Sequence, residues 1–412
     1  MIRSMYAAVS GLRSHQMMMD IIGNNIANVN THGFKKGRAT FEDVLSQVIT
    51  GAAAPTPDLG GRNPAQIGLG VTVAGIAQNL GQGALQVTNR DLDLAIQGDG
   101  FFVLNLGGEE MFTRAGAFFL DADGRMVSNE GALVMGWAAD TDGNINTSTV
   151  PTSIRIPTGD QHPPVTTTEA KFGGNLPSDD PVGSQLFSGL EIFDEQGVPT
   201  KLDLTFEKTN TNEWTMSASH GTPGTPIALT DNVLTFGTDG ELLTPADFDV
   251  NIAPGQIPGV GAVALTIGGP GESRVTQFGG MSSIAAITQN GAAAGTLQSL
   301  RVGVDGIIVG AYNNSLVKPI AQVALASFAN PEGLERVTGS NFRTTTNSGL
   351  AQVGTVRTGG RGTVAPLSLE MSNVDLAEEF TDLIRSQRGF QANSRMVTVS
   401  DELLQEIVNL KR

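Results

Sequence analysis

Cysteine is absent from all 412 residues of the chain. Its absence excludes a disulfide framework, thiolate metal ligands and thiol catalysis. Aromatic residues make up only 5% of the sequence and charged residues only 16%, whereas 52 glycines and 19 prolines are present. Such a composition is typical of β-rich domains joined by many turns, and the length predicts roughly two to four compact units.

Positive charge is also scarce. The chain has 25 Lys and Arg against 41 Asp and Glu, a formal net charge of −16. Binding to a phosphate backbone requires a basic patch, so nucleic acid is not an expected partner. We interpret the one cluster of basic residues as a solvated turn: Lys35, Lys36 and Arg38.

Long apolar runs are missing as well. No stretch approaches the ~18–20 consecutive apolar residues of a transmembrane helix. Residues 1–20 contain neither the continuous apolar core nor the small-residue cleavage site of a secretory signal. We therefore expect no membrane insertion, and we expect any export to proceed without a cleaved signal peptide.

Catalytic and metal-binding motifs are not recognisable. Phosphate-loop and nucleophile-elbow patterns are absent, and the acidic turn before Gly124 does not fit the register of a calcium loop. Asp140, Asp142 and Asn144 form a somewhat better oxygen cluster, which we interpret as a turn. The four histidines show no metal-ligand spacing: His15, His32, His162 and His220. Missing motifs do not exclude an enzyme, but the prediction is a non-enzyme without cofactor or metal.

The strongest pattern present lies in the C-terminal segment from Leu369 to Arg412. Apolar residues recur there at every seventh position, which predicts a coiled-coil seam. These residues are Leu376, Leu383, Phe390, Val397 and Leu404. A second row beside it is impure, because polar residues occupy the positions between Phe380 and Val408: Gln387, Ser394 and Asp401. A helix with this pattern requires partner helices.

Signals for the ends of this helix accompany the pattern. Ser372 and Asp375 form a capping-box spacing, and Glu378 and Glu379 suit the positive N-terminal end of a helix. Lys411 and Arg412 are expected to suit the negative C-terminal end of the helix dipole.

The N-terminal segment carries a matching stripe from Ser4 to about Asn28. Its apolar positions recur every seven residues at Met5, Leu12, Met19 and Ile26, with Ile2, Val9 and Ile22 beside them. Asparagines that tolerate left-handed backbone are expected to end this helix together with Gly33: Asn24, Asn25, Asn28 and Asn30. Each stripe alone could be the core face of an ordinary globular helix. Two such stripes, one in each terminal segment, favour pairing with each other or with neighbouring subunits.

Between the helices the sequence predicts nested β-domains. Asp-Gly turns between short apolar runs at 123–124, 239–240 and 305–306 indicate hairpins. Residues 146–285 contain five basic and sixteen acidic residues, a net charge of −11, which indicates an inserted, solvated domain. The predicted fold class is α+β multidomain, with long terminal α-helices forming a coiled coil and two nested mainly-β domains. The predicted divisions are an N-terminal helix at 1–30, a connector at 31–70, a middle β-domain at 71–145 and 286–363, the outer insert at 146–285, and the C-terminal helix at 364–412. Within the connector, Phe41 to Ile49 is predicted to form a short amphipathic turn.

Four sequence blocks resemble the bacterial flagellar rod and hook proteins, the axial protein family. The first block consists of Ser10 to Leu12 followed by Gly23 to Lys35, and it includes the motif residues Asn24, Asn25, Ala27, Asn28, Gly33 and Phe34. The second block runs from Gln86 to Phe102, the third from Phe112 to Gly116, and the fourth lies around Gln387 to Asn393. The resemblance covers roughly residues 1–137 and 300–412. The length and the acidic insert are similar to the hook members of the family rather than to the much shorter distal rod members.

The resemblance implies a structural subunit that polymerises with itself into the tubular, curved hook, the universal joint of the bacterial flagellum. It implies an inner coiled-coil tube, a middle β-layer and an outer insert. It also implies distal rod, hook cap and hook–filament junction proteins as partners, and an extracellular location reached through the type III export apparatus. Phe41 and Leu45 resemble the short export motif of such substrates; alternatively, they are two core residues one helical turn apart. Competing interpretations are a rod-like axial subunit with an inserted domain, a secreted β-rich adhesin, and a hydrolase displayed on the cell surface.

Overall fold

The computed structural model describes residues 2–52, 54–55, 60–141, 143–159, 161–221, 224–268 and 274–409. Two long helices flank a succession of short strands: α1 comprises Ile2–Ala27 and α2 comprises Leu376–Asn409. The chain divides into two compact units. Unit 1 contains residues 1–156, 301–309 and 319–412, and unit 2 contains residues 157–300 and 310–318. The predicted fold class, terminal helices with nested mainly-β domains, is thereby confirmed.

The ends of the helices differ from the predicted ones. Helix α2 begins at Leu376 rather than Leu369, and Asp375 is its N-cap: the Asp375 Oδ1 atom accepts hydrogen bonds from the N–H groups of Ala377 at 2.8 Å and Glu378 at 3.4 Å. The capping box at Ser372 and the helical assignment of 364–375 were therefore wrong. None of the four asparagines expected to end α1 has a positive φ, whereas Gly33 has φ +69°. Lys411, Arg412 and the Val408 side chain lie outside the described residues.

A long two-stranded hairpin replaces the predicted connector of residues 31–70. Strand β1 (Gly37–Asp43) continues into β2 (Ser46–Thr50), and the chain returns through β3 (Ala65–Gly68) and β4 (Val71–Gln78). Strand β1 pairs antiparallel with β4, and β2 with β3. Register shifts between Thr40 and Phe41 and between Val48 and Thr50 interrupt the two-residue alternation that would have marked these strands.

Eight short strands follow the hairpin in unit 1. They are β5 (Leu85–Val87), β6 (Leu94–Gln97), β7 (Phe101–Leu106), β8 (Glu109–Thr113), β9 (Phe118–Leu120), β10 (Met126–Ser128), β11 (Leu133–Ala138) and β12 (Thr152–Ser153).

Unit 2 comprises the next group of strands, the last three of which contain residues of both units. They are β13 (Gln161–His162), β14 (Glu169–Asn175), β15 (Gln185–Phe193), β16 (Pro199–Asn210), β17 (Glu213–His220), β18 (Thr225–Ile227), β19 (Leu229–Thr230), β20 (Val233–Phe236), β21 (Leu242–Thr244), β22 (Asp249–Ile252), β23 (Val263–Thr266), β24 (Val275–Thr276), β25 (Ala285–Gln289), β26 (Gly295–Val302), β27 (Ile307–Tyr312) and β28 (Val317–Val323).

Two sheets of six strands form the core of unit 2. One has the order β19-β22-β23-β14-β24, with β25 also on β14, and the other has the order β15-β16-β17-β20-β21, with β18 on β17. Strands β16 and β17 alternate buried and solvent-facing residues, as expected when one face of each sheet covers a shared core. That core includes Phe172, Phe206 and Trp214, each at most 1% exposed.

The chain then completes unit 1 with six strands and a short 3₁₀ turn at Pro331–Gly333. They are β29 (Leu325–Ser327), β30 (Glu335–Arg336), β31 (Asn341–Arg343), β32 (Gln352–Gly354), β33 (Thr363–Pro366) and β34 (Ser368–Glu370). Strand β33 pairs with β6, and β34 with β5, so the segment before α2 is fixed to the early part of the chain. An aromatic core underlies the sheet of β7, β8 and β31, where the rings of Phe101 and Phe342 lie 5.6 Å apart.

The predicted Asp-Gly hairpin turns are confirmed. Strands β9 and β10 pair around Asp123-Gly124, and β20 and β21 pair around Asp239-Gly240. Gly124, Gly240 and Gly306 have φ between +75° and +79°, a conformation that glycine adopts without steric cost.

The boundaries of the two units differ from those predicted for the insert. Ile154 and Ile156 are buried and bond to Val134 and Gly124 of unit 1, so residues up to 156 belong there rather than to an insert that begins at 146. Strand β25 pairs with β14, which keeps the residues immediately after 285 in unit 2. Charge composition could not predict the boundaries of unit 2, because hydrogen bonds between strands determine which unit a residue belongs to.

Candidate assembly interface

A buried ion cluster joins the start of the hairpin to the strand before α2. The Lys35 Nζ atom lies 2.5 Å from Glu370 Oε1, and both side chains are fully buried. The same ammonium group donates to the Gly81 carbonyl oxygen at 2.9 Å, and the Gly83 N–H donates to Glu370 Oε1 at 2.8 Å. The Arg114 guanidinium lies 3.6 Å from Glu370 Oε2. Lys35 was interpreted from sequence as part of a solvated turn, and that interpretation was wrong.

Burial dominates the electrostatics of this cluster. Desolvation lowers the pKa of Lys35, although the charge of Glu370 and its hydrogen bond act in the opposite direction. Burial likewise lowers the pKa of Arg114, against the attraction of Glu370 and Asp99. Charges placed in such surroundings are tolerated only when they are paired. The cluster therefore requires segments distant in sequence to keep a fixed position.

Two glycines of the family blocks permit this close packing. Gly33 has φ +69°, and a Cβ atom there would approach the backbone of Ala115. A Cβ atom at Gly116 would overlap the carbonyl oxygen of Leu94. Only glycine, which has no Cβ atom, permits the two backbones to approach this closely. Beside them, Phe34 is 1% exposed and carries the Arg336 guanidinium 4.2 Å from its ring centre. Residues of the first three family blocks thus converge on one buried junction.

Asn25 fixes the end of α1 to both neighbouring elements. Its Nδ2 atom donates to the Gly37 carbonyl oxygen at 2.9 Å and to Glu379 Oε2 at 3.1 Å, and its Oδ1 atom accepts from the Gly37 N–H at 3.0 Å. Lys36 adds an ion pair with Glu378 at 2.6 Å. The other family-motif asparagines act locally, because Asn28 Nδ2 donates to the backbone and side-chain oxygens of Asn24. Ala27 is exposed.

Helices α1 and α2 pack antiparallel through small and polar residues. The buried positions of α2 recur every seven residues at Glu379, Ser386 and Ser400, with half-buried Asn393 between the last two. Glu379 meets Asn25 of α1, and Ser386 Oγ donates to the His15 carbonyl oxygen at 2.9 Å. A Cβ atom at Gly11 would lie 2.8 Å from Asn393 Nδ2. Small side chains let the two helix backbones approach closely.

The predicted apolar heptad residues lie beside this seam and not in it. Those that are half-buried are Met5, Val9, Leu12, Met19, Ile26, Leu383, Phe390, Val397 and Leu404. Ile22 is the exception, because it is buried at 4% exposure, and the Ile2 side chain lies outside the described residues. Leu376 and Phe380 are exposed. The sequence predicted the apolar rows as the seam because apolar residues normally fill one. Within one chain that position is taken by small and polar residues, and the apolar rows retain accessible surface.

Helix α2 also has exposed apolar residues near its C-terminal end. Met396, Val399, Leu403 and Ile407 recur at spacings of three and four and are each between 44% and 50% exposed. Residues at this spacing lie on one face of a helix. A contiguous apolar face of this kind typically marks a protein–protein contact.

The hairpin of β1–β4 presents further apolar side chains to solvent. The exposed residues include Phe41, Val44, Leu45, Val48, Ile49, Ile67, Leu69 and Ile76. Phe41 lies in β1, and Leu45 directly precedes β2. They are therefore not core residues one helical turn apart, and the predicted amphipathic turn was wrong. A two-stranded ribbon is marginally stable alone, so partners that cover these residues would stabilise it.

Clusters suited to metal binding are not found in the described parts of the chain. Among these residues, no cluster of three or more His, Asp or Glu side chains could hold a metal ion. The acidic turn at Asp140 and Asn144 is closed by backbone bonds, and Asp142 lies outside the described residues. Across the described helices, none is long and apolar enough to span a membrane.

Three functional residues were missed by sequence reasoning: Lys35, Arg114 and Glu370. Lys35 and Arg114 fall within the family blocks, which was the available signal, but Glu370 had none. A lone charged residue is far more often solvated than buried, and only tertiary contacts distinguish the two cases.

Four family models match the chain in order. They describe a flagella basal body rod protein (residues 5–35), the D1 domain of flagellar hook protein FlgE/F/G (95–169), the D2 domain of a flagellar basal body protein FlaE (159–292) and the C-terminal part of flagellar basal body rod FlgEFG proteins (367–410). Together they cover the helices and parts of both units.

Relatives of known name match over their full length. The flagellar hook protein FlgE of Borreliella burgdorferi is 39% identical, with 100% of both chains covered. The FlgE of Escherichia coli is 35% identical, covering 98% of this chain and 99% of that protein. The flagellar basal-body rod protein FlgG of Bacillus subtilis is 31% identical over 100% of both chains.

A solved structure shares the fold. The crystal structure of Helicobacter pylori flagellar hook protein FlgE2 matches with a TM-score of 0.54 at 14% identity, covering 69% of this chain and 100% of that one. The family models, the full-length relatives and this fold agree, and they show that the chain belongs to the flagellar hook protein FlgE family.

Proposed function

We propose that the chain is the structural subunit of the flagellar hook, and that it polymerises with copies of itself into a curved tube that transmits motor torque to the filament. The observation that carries this proposal is the exposed apolar face on the terminal helix pair of a hook-family chain. In one copy the apolar rows of both helices and the face of α2 from Met396 to Ile407 remain accessible to solvent. Burial of apolar surface is the main driving force of most association.

The residues on these rows are proposed to contact neighbouring subunits. They are Met5, Val9, Leu12, Met19, Ile26, Leu376, Phe380, Leu383, Phe390, Val397 and Leu404. The seam inside one chain consists of small and polar residues, so it leaves the larger apolar side chains partly uncovered. A tube of helix pairs packed side by side would bury them.

Unit 2 is proposed as the outer, solvated domain. Its two-sheet core is complete in itself, and the surrounding residues are strongly acidic. Like charges on neighbouring copies repel with a Debye length of ~10 Å at 0.1 M salt. Repulsion of this range favours loose contacts between outer domains, which suits a joint that bends as it rotates.

The remaining partners and the location follow from the family. We propose that the subunit acts outside the cell in the flagellar hook and basal body, leaves through the type III export apparatus without a cleaved signal peptide, and meets distal rod, hook cap and hook–filament junction proteins. Phe41 and Leu45 are retained as a proposed export motif, and both are exposed. A non-enzymatic role without cofactor accords with a chain built around interaction surfaces.

A rod-like axial subunit is the second candidate. The full-length match to the Bacillus subtilis rod protein FlgG favours it. Both functions require a tube, but a rod is a straight drive shaft whereas a hook is curved. An adhesin or a displayed hydrolase would not require two apolar terminal helices.

Electron microscopy of the purified chain tests the proposal. The chain is incubated under polymerising salt conditions with fragments of formed tubes as seeds and imaged in negative stain. Curved tubes are the expected result. Straight tubes would favour the rod-like function, and isolated particles at every condition would contradict a polymer subunit.

A further inference from the structure

Two complementary surfaces lie at opposite ends of the helix pair. At one end, a groove with an open volume of about 720 Å³ runs between the C-terminal half of α1, the N-terminal turns of α2 and the start of β1. At the other end, α2 carries its exposed apolar face. We propose that the C-terminal tip of α2, Leu403–Asn409, inserts into this groove on a second copy of the chain. The inference rests on the proposed polymer function and specifies the contact.

The tip has no partner helix among the described residues. Because Gly11 lies against Asn393 and the helices are antiparallel, Ile2 at the described start of α1 lies level with about residue 402 of α2. Ser400 is the last buried residue of α2. Of the side chains described after it, at 401–407 and 409, none is buried. About 10 Å of helix, at about 1.5 Å per residue, is therefore available for another molecule.

The groove presents apolar side chains between its charged ones. Met18, Ile21 and Ile22 of α1 line one wall, and Ala377 and the methyl-bearing Thr381 of α2 line the other. Leu403 and Ile407, four residues apart, lie on one face of the tip and can enter together. Each of these side chains would stabilise the contact through the apolar surface that it removes from water.

Charge favours the same pairing. Most charges of the groove are satisfied within it, since Lys36 pairs with Glu378 at 2.6 Å and Arg385 with Asp382 at 3.3 Å. Among the described residues, Arg38 on the rim forms no ion pair. The tip contributes Glu406, and Glu402 directly precedes it; both side chains are exposed. A carboxylate of the incoming tip would compensate the Arg38 charge.

The geometry of this contact produces a polymer. The two surfaces are different patches of one chain, so the contact is heterologous, and each copy that binds still presents one free tip or groove. A heterologous contact that does not close into a ring extends into a helical assembly. An isologous contact between two tips or two grooves would stop at a dimer.

Engineered cysteines test the contact without interference, because the chain has none of its own. A double variant, Thr381→Cys with Ile407→Cys, is assembled on seeds and oxidised or treated with a short bismaleimide. We expect a ladder of covalent dimers, trimers and longer oligomers. The matched control replaces the tip cysteine by one in the middle of α2, Thr381→Cys with Gln391→Cys, and should give no ladder.

Other outcomes are decisive as well. Dimers from the single variant Ile407→Cys would indicate a tip-to-tip contact and overturn the proposal. A ladder from Thr381→Cys with Val48→Cys, in place of the expected one, would assign the groove to the hairpin and also overturn it. Tubes without any ladder would overturn this contact but leave the polymer function intact, whereas failure of the unmodified chain to form tubes would contradict the function itself.

A tip variant provides a second measurement. Ile407→Asp places a charge in the proposed apolar contact and should raise the critical concentration for tube growth by about tenfold or more. Because Ile407 is not buried in the single chain, the thermal unfolding of the monomer should not change. Normal growth of this variant at the parent's critical concentration would overturn the inference.

Discussion

Lys35 and Glu370, 335 residues apart in sequence, share a fully buried ion pair with an Nζ–Oε1 distance of 2.5 Å. Next to it, the Gly33 N–H donates to the Glu370 carbonyl oxygen at 2.8 Å. Lys35 follows α1 and Glu370 precedes α2, so the pair fixes the two points at which the terminal helices leave the β-structure of unit 1. A subunit whose helices pack side by side in a tube requires both helices to start from fixed positions.

Removing the cation should destabilise unit 1. Lys35→Met leaves Glu370 buried with only the weaker compensation of Arg114, and breaking a buried pair in this way costs about 3–5 kcal/mol. Chemical denaturation followed by circular dichroism measures the change. The matched control is Lys201→Met, which removes a cation from an exposed pair with Asp203 and should cost at most about 1 kcal/mol. Equal effects of the two changes would show that the buried pair is not a structural requirement.

Glycine at position 116 should be indispensable for the same unit. A Cβ atom there would overlap the backbone oxygen of Leu94, which cannot move without breaking the β6–β33 pairing nearby. We expect Gly116→Ala to lower the free energy of unfolding by about 3 kcal/mol or more. The control is Gly23→Ala, an exposed position in α1 with no atom within 4 Å of the added Cβ, which should stabilise by about 0.5–1 kcal/mol. A tolerated Gly116→Ala would mean that the strand can shift.

Phe390 should matter for assembly more than for folding. Its side chain is only half-buried within one chain, on the apolar row beside the seam. Phe390→Ala is expected to abolish tube formation in the electron microscope while both units of the monomer unfold at the parent's temperature. Arg388→Ala, an exposed change on the same helix, serves as control. A Phe390→Ala variant that grows tubes normally would remove this row from the interface.

Amide hydrogen exchange in the monomer should be slow where α2 contacts α1 and fast beyond that contact. Amides of α2 near Ser386 are covered by α1, so they should exchange more slowly than those from Leu403 to Asn409. On assembly the second group should become protected as well. Uniform exchange along α2 in the monomer would contradict the described pairing of the helices.

Unit 2 should be dispensable for tube formation. Replacing residues 157–300 by a short Gly-Ser bridge removes its two-sheet core, whereas the terminal helices and the Lys35–Glu370 junction remain. We expect tubes that are straighter or differ in stiffness, imaged beside the parent at several salt concentrations because charge repulsion is screened by salt. Absence of tubes, with unit 1 shown to be folded, would assign unit 2 to assembly.

Local patterns in the sequence were sufficient to predict several elements. Apolar periodicity predicted both terminal helices, since a helix that packs on one side repeats its apolar residues at helical spacing. Asp123-Gly124 and Asp239-Gly240 predicted hairpin turns, since few residues other than glycine adopt their positive φ. These features depend on neighbours within a few residues.

The hairpin β1–β4 was mistaken for an amphipathic turn for an equally physical reason. Phe41, Val44, Leu45, Val48 and Ile49 follow helical spacing, because two register shifts break the alternation of a strand. The partner strands that decide the structure lie some twenty to forty residues away, beyond any local pattern.

The sequence by itself determined where helices form, where the chain turns and that its apolar residues exceed what one chain's helix pair can bury. Only the tertiary structure decided that Lys35 is buried and that Ser386 rather than Leu383 occupies the helix seam. Burial of a charge depends on a partner such as Glu370, and the choice of seam depends on how closely Gly11 lets α1 approach. Both are settled by contacts between residues hundreds of positions apart, which no periodicity along the chain records.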